Sequence, residues 1–280
     1  MALKLMYITN NPDIALIAEN AGVDRIWVDL EKLGKKERQV NINSVKSDHK
    51  IQDIKIIKPL LSKAQILVRI NPINRYTNDE IEQVVCAGAD IIMLPMWKSV
   101  AEVEYFIKLV NERTKVSLLL ETREAANCLD DILSIGGIDE IHIGLNDLHL
   151  SYGLTFMFEL LANGTVEKLC NKIKNQKGIQ YGFGGIAQLN EGLLPAKNII
   201  AEHYRLGSTM AILSRSFCNT SDDNDLLKIQ FEFNKGIQKI REYEYELLTK
   251  PTEYFTQNQK VVELYIARIV ENVLIGRAPA

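Results

Sequence analysis

Two carboxylates, Glu121 and Asp147, each close a run that reads as a buried β-strand: Val116-Ser117-Leu118-Leu119-Leu120-Glu121 and Ile141-His142-Ile143-Gly144-Leu145-Asn146-Asp147. A helix-like stretch, Arg123 to Ile135, closed by Gly136-Gly137, lies between them. Two acids facing one point repel unless a cation or a shared proton intervenes. The economical reading is a hard divalent metal, with Glu121 and Asp147 as two oxygen ligands and about four of six positions left to water and substrate. All-oxygen donors favour Mg²⁺ or Mn²⁺ over zinc. Pyruvate or another 2-oxo acid would chelate such an ion through its carboxylate and keto oxygens, and the ion would act as a Lewis acid on the carbonyl and stabilise an enolate. These parts suit making or breaking a carbon–carbon bond beside a carbonyl.

Further polar groups fall at strand ends. Asp29 closes Trp27-Val28-Asp29, with Glu31 two residues on, and Arg69 lies within Leu67-Val68-Arg69-Ile70-Asn71-Pro72. Arg69, permanently charged and fork-shaped, would hold the substrate oxyanion or carboxylate opposite the metal. The alternative is architectural: Asp29, Glu121 and Asp147 could simply neutralise Arg69, since an unpaired buried polar group costs roughly 2–7 kcal/mol. For acid–base work, Asp29 and Glu31 could position a water, and Lys32 is another candidate. Among the histidines, His49 lies in a loop, His142 inside a strand and His203 in a helix, which leaves His149 nearest the rim. Gly184-Gly185 ends a later strand and could let backbone approach a ligand. A Schiff-base aldolase needs a lysine on a strand end, where Lys98 is the nearest candidate.

The elements that must position these groups alternate along the whole chain. Strands are expected at Lys4–Ile8, Arg25–Asp29, Gln65–Ile70, Ile91–Leu94, the two acid-bearing runs, Gln180–Ile186 and Ser208–Leu213. Helices fall between them at Pro12–Asn20, Gln52–Lys63, Asn78–Cys86, Ala101–Asn111 and Pro195–Tyr204, with a charged loop from Glu31 to Gln39. Eight βα pairs predict an α/β fold, a single (β/α)8 TIM barrel spanning residues 1–280, with chemistry at the C-terminal strand ends. Residues 222–280 exceed what one barrel helix needs and form an extended C-terminal helical tail. Within it Val262, Tyr265, Ile266, Ile269, Val270 and Val273 recur at spacings of three and four. That stripe is read as a subunit interface, hence a homo-oligomer, against the alternative that it packs on its own barrel.

Composition narrows the partners. With 46% hydrophobic and 25% charged residues and a net charge of −3, the chain has no general attraction for nucleic acid or an acidic membrane. No apolar run approaches the roughly 20 residues of a membrane span, and the N-terminus lacks the features of a signal peptide. Cys86, Cys128, Cys170 and Cys218 lack CxxC spacing and read as reduced thiols of a cytoplasmic protein.

Leu120-Glu121-Thr122-Arg123-Glu124-Ala125 followed by Ile143-Gly144-Leu145-Asn146-Asp147-Leu148 resembles the HpcH/HpaI aldolase and citrate lyase β-subunit family. Val28-Asp29-Leu30-Glu31 and Val68-Arg69-Ile70-Asn71-Pro72 are similar to its citrate lyase branch, and Ile92-Met93-Leu94-Pro95-Met96 to its aldolase branch. The resemblance implies a metal-dependent barrel of the phosphoenolpyruvate/pyruvate superfamily that performs aldol-type cleavage or condensation. It assigns Glu121 and Asp147 to the metal, Arg69 to the substrate, and Asp29 and Glu31 to the acidic pair after strand two. Pro95, Gly144, Leu145 and Asn146 become substrate contacts, and dimers or trimers of dimers with exchanged C-terminal helices are expected. One position departs: Lys32 stands where the aldolase branch carries its acid–base histidine. Two alternatives to a 2-oxo-acid aldolase therefore stay open, a citrate- or malate-like acyl lyase or synthase and a barrel that binds ligand without catalysis.

Overall fold

The structure, a computed structural model, describes residues 2–34, 48–220 and 225–276. Eight parallel strands close into a barrel in sequence order: β1 (Lys4–Ile8), β2 (Arg25–Asp29), β3 (Gln65–Arg69), β4 (Ile91–Leu94), β5 (Lys115–Leu120), β6 (Glu140–Ile143), β7 (Gln180–Ile186) and β8 (Met210–Leu213). The expected (β/α)8 barrel is therefore present. Each strand is covered on one face by helices and on the other by the barrel interior, which is why the strands read as apolar runs without alternation.

The first half of the helical layer comprises α1 (Pro12–Ala21), α2 (Ile51–Ile57), α3 (Thr77–Ala87), α4 (Val100–Val110), α5 (Arg123–Asn127) and α6 (Leu129–Leu133). Local chemistry sets several of these ends. The Asn11 side chain accepts from the N–H groups of Asp13 and Ile14 at the start of α1, and Ser99 with Glu102 forms a capping box on α4. Thr122 caps α5 by accepting from the Ala125 N–H. The stretch expected as one helix from Arg123 to Ile135 is thus two, broken at Cys128.

Beyond β6 the connection carries α7 (Leu145–Ser151), α8 (Glu159–Ala162) and α9 (Thr165–Lys174), and α10 (Ala196–Leu206) precedes β8. Pro195 caps α10 from outside rather than sitting in its first turn. The tail folds as α11 (Leu226–Leu247) and α12 (Thr252–Leu274), with Pro251 at the break; its expected start at Asp222 and its end beyond Gly276 lie outside the described residues, as do positions 35–39 of the charged loop.

Val262, Ile266 and Ile269 on α12 are buried, and the helix packs on α10 and α8 of its own barrel. Asn258 anchors it, donating to the Asn198 carbonyl at 3.0 Å and to Glu202 at 2.8 Å. The apolar stripe read as a subunit interface is therefore largely covered within one chain. Among the described residues no helix is long and apolar enough to cross a membrane.

Candidate active site

The strand ends meet around a cavity of about 450 Å³ at the C-terminal mouth of the barrel. Arg69, Glu121, Gly144, Leu145, Asn146 and Asp147 all line it. Glu121 follows β5 directly, between the last strand residue and the cap of α5. Its Oε1 accepts the Met96 backbone N–H at 3.1 Å, and Met96 holds a left-handed conformation, φ 53°, that a non-glycine residue rarely adopts.

Asp147 differs from its expected place. Strand six ends at Ile143, four residues earlier than read, and Asp147 sits in the first turn of α7. There its charge favours the helix N-terminus. Gly144 makes the turn from strand to helix; a Cβ on it would stand 3.0 Å from both Cβ and Oε2 of Glu121. The small residue thus lets the two acid-bearing segments approach.

The electrostatics match two acids sharing a wall. Burial, and then the Asp147 charge, push the Glu121 carboxyl well above the usual carboxylate range, with Arg69 only partly opposing them. Among the described residues no group of three or more His, Cys, Asp or Glu could hold a metal. The donor set is instead a carboxylate pair, one that fits a hard cation keeping several positions for water or substrate oxygens. A smaller cavity of about 280 Å³ opens on the other side of the same pair, lined by Met96, Lys98, Thr122, Glu124, Leu150 and Ser151. Lys98 is exposed on that rim.

Arg69 is gripped from behind. Its Nε and Nη2 donate to the two oxygens of Asp29 at 2.8 and 2.9 Å, and Nη1 lies 3.4 Å from Glu31. Burial disfavours the guanidinium charge, but Asp29 and Glu31 outweigh it and hold the group protonated more firmly than an ordinary arginine. Its Cζ stands 5.4 Å from the Trp27 ring centroid. Asp29 and Glu31 thus hold the Arg69 guanidinium and do not themselves line the cavity.

Two expected site residues are not brought in. Lys32 is exposed, with Nζ 3.4 Å from Asp48, and its backbone N–H donates to Asn71 Oδ1 at 2.8 Å. Pro95 is buried, and it is its neighbour Met96 that reaches the acid pair, through its backbone N–H to Glu121. His149 is also turned away, its Nδ1 against the Leu145 carbonyl at 3.1 Å within its own helix.

Several residues at the site escaped the sequence reading. His49, read as a loop residue, is buried and its Nδ1 accepts the Asp29 N–H at 3.0 Å. Acceptance at Nδ1 puts the proton of the neutral ring on Nε2. His142 lines the cavity from inside the barrel, where burial lowers its pKa to about 3 and keeps the imidazole neutral. Tyr7, Ser214, Arg215 and Ser216 form the wall beside β8. No local pattern marks His49, twenty positions from Asp29. Arg215 stands two residues past the end of β8, where the rule that singled out Arg69 applies equally.

Solved structures of known proteins resemble this fold. The fold matches an HpcH/HpaI aldolase from Desulfitobacterium hafniense DCB-2 with a TM-score of 0.59 at 19% identity, over 86% of this chain and 93% of that one. The citrate synthase SbnG matches with a TM-score of 0.56 at 18% identity, over 76% and 86% of the two chains. An HpcH/HpaI aldolase/citrate lyase family protein from Burkholderia cenocepacia J2315 gives 0.59 at 13% identity, over 86% and 95%. At these identities the likeness concerns the fold alone. A comparison with curated proteins gives no match. The family profile for HpcH/HpaI aldolase/citrate lyase covers residues 4–157, from β1 through both acids, and the chain belongs to that family.

Proposed function

We propose that this chain is a divalent-metal-dependent carbon–carbon lyase of aldolase type, acting through an enolate of pyruvate or a related 2-oxo acid. The observation that carries the reading is the pair Glu121 and Asp147 on one cavity wall, with the Glu121 charge disfavoured until a cation arrives. Mg²⁺ or Mn²⁺ held by the two carboxylates would supply Lewis acidity to the substrate carbonyl. Arg69, fixed by Asp29 and Glu31, keeps donors for the substrate carboxylate or oxyanion, since a guanidinium carries five N–H groups. Gly144, Leu145 and Asn146 shape the wall between the acids. Trp27, Leu119 and Ile212 add apolar surface to the lining, which would strengthen the charge interactions beside it once a substrate displaces water.

The test is incorporation of deuterium into the methyl group of pyruvate with Mn²⁺. Wild-type protein should exchange, chelator should stop it, and Glu121→Gln should lower the rate at least about 100-fold, the scale of losing about 2.7 kcal/mol of transition-state stabilisation. Exchange that survives chelator contradicts the reading. One observation favours a non-catalytic, ligand-binding barrel: Lys32, which stands where the aldolase branch carries its acid–base histidine, is exposed and lies against Asp48. Mn²⁺ binding without exchange would support that alternative.

Self-association belongs to the same proposal. Val261, Leu264 and Tyr265 form an exposed face of α12 beside the buried stripe, and sedimentation velocity should return a dimer or larger species that Leu264→Glu reduces to monomer.

A further inference from the structure

The chemistry at the acid pair leaves the floor of the cavity without a role. Side chains alternate between the faces of a strand, so residues two apart share a side. Arg25 of β2 and Glu140 of β6 meet inside the barrel near its N-terminal end. Two residues further along the same strands stand Trp27 and His142, and both line the cavity. Two further still come Asp29 and Gly144, at the level of the site. Trp27 and His142 therefore share one layer, between the charged tie below and the acid pair above. Met93 belongs to the same buried cluster as Trp27, and Ile212 lines the same space.

This layer carries polar atoms that the protein does not satisfy. Trp27 and His142 are both buried. Among the described residues, neither Trp27 Nε1 nor either ring nitrogen of His142 has a hydrogen-bond partner. Buried polar groups in folded proteins are nearly always paired, because an unmade hydrogen bond leaves the cost of desolvation uncompensated. Ile8, Leu119 and Ile212 beside them are apolar and offer neither donor nor acceptor. Two unmet groups in one layer, both on the wall of the main cavity, point to a ligand that reaches down to them.

The two groups define what that ligand presents. The indole N–H of Trp27 can only donate, whereas a neutral imidazole has one N–H and one lone pair. Burial keeps His142 neutral, and the Gly184 backbone draws the ring proton towards itself, in a geometry short of a full hydrogen bond. The lone pair is thereby left on the other nitrogen. A hydroxyl accepts from the indole and donates to the imidazole; a keto oxygen only accepts, and an ammonium only donates. A carboxylate would bring a charge among apolar neighbours. The floor lies on the closed side of the barrel, beneath Arg69 and the acid pair. A second reactant entering from the open mouth meets the bound oxo acid first, so the hydroxyl at the floor belongs to the oxo acid.

We infer that Trp27 and His142 form a hydroxyl-reading floor, so that the oxo acid supplying the enolate is not pyruvate itself but one with a hydroxyl beyond its keto group. The inference rests on the proposed lyase reading for the oxo-acid end of the ligand. Calorimetry on the full chain with Mn²⁺ compares hydroxypyruvate with pyruvate, and 4-hydroxy-2-oxobutyrate with 2-oxobutyrate. In at least one pair the hydroxylated member should bind about tenfold more tightly, or better. His142→Phe and, independently, Trp27→Phe should bring that ratio close to one, with circular dichroism checking that each variant is folded. Equal affinities within both pairs, or a preference that survives both substitutions, overturns the floor.

A magnetic resonance measurement separates this from failure of the lyase reading. The chain has 4 histidines, so the ring signals of nitrogen-15-labelled protein are few, and the His142 pair is the one missing from His142→Phe. In chelator, 3-hydroxypropionate should shift a His142 ring nitrogen while propionate leaves it in place, with no metal, oxo acid or turnover involved. That shift without binding of either oxo-acid pair would count against the lyase reading alone. A His142 signal that no hydroxylated ligand moves, with Mn²⁺ or in chelator, overturns the floor.

Discussion

At the scale of single residues, Gly144 decides how the two acids meet. Its φ of −80° is open to any residue, so its value lies in the missing side chain. A methyl group there would press on Glu121 at 3.0 Å and on Leu119 at 3.1 Å. Gly144→Ala should therefore displace the Glu121 carboxylate and weaken Mn²⁺ binding about tenfold, with a stability loss of about 1–3 kcal/mol from overpacking. Titration of Mn²⁺ by electron paramagnetic resonance, alongside thermal unfolding in chelator, checks both effects. Unaltered affinity would show that Glu121 does not bind the ion through its present conformation. Glu121 was legible in the sequence because a carboxylate after five strand residues has no packing role. Asp147 was legible as an acid near the site, but not as a helical residue. Ile141, Ile143 and Leu145 alternate as a strand would, and this masked Gly144 and the acid in the first helical turn.

At the scale of elements, the alternation of strands and helices could be read because parallel strands buried on both faces leave apolar runs, punctuated by Gly22, Gly88 and Gly207 in left-handed caps. Contacts made by crossovers were not legible, and the layer around β7 is an example. His142 on β6 faces the barrel interior, while His203 on α10 stacks on Phe183 at 3.8 Å between ring centroids. Burial lowers both pKa values from 6.5 to about 3, and for His203 the neighbouring His142 adds to the shift. Above pH 6.5 both rings are neutral whether the chain is folded or not, and their contribution to stability is complete. As pH falls from 6.5 towards 3, the unfolded chain takes up protons that the folded chain refuses, and stability drops by about 1.4 kcal/mol per pH unit for each ring. Urea midpoints measured from pH 6.5 to 4.5 should fall less steeply in His203→Leu than in wild type. An identical slope would mean that His203 becomes charged in the folded protein.

At the scale of the whole molecule, the barrel divides into a chemical end and a structural end. Opposite the site, at the N-terminal ends of the strands, Arg25 of β2 reaches across the barrel to Glu140 of β6, four strands away in the closed order. Both Glu140 oxygens accept from the guanidinium, and the sulfurs of Met6 and Met210 lie 3.8 and 3.6 Å from Nη1. The Arg25 side chain is fully buried and that of Glu140 is 2% exposed. Removing one partner leaves an uncompensated charge among Met6, Ile91 and Met210, whereas replacing both leaves only apolar contacts. Arg25→Met alone should therefore cost about 3–5 kcal/mol, and Arg25→Met with Glu140→Leu should recover most of that loss, because desolvating the two charges consumes much of their attraction. Urea denaturation of the two single variants and the double variant gives the coupling energy directly. Mn²⁺ affinity in the folded double variant should stay within twofold of wild type, since the acid pair stands at the far end of the strands. If the double variant is as unstable as Arg25→Met, the charged tie across the barrel contributes more than its desolvation takes away, and closure of the eight strands depends on it.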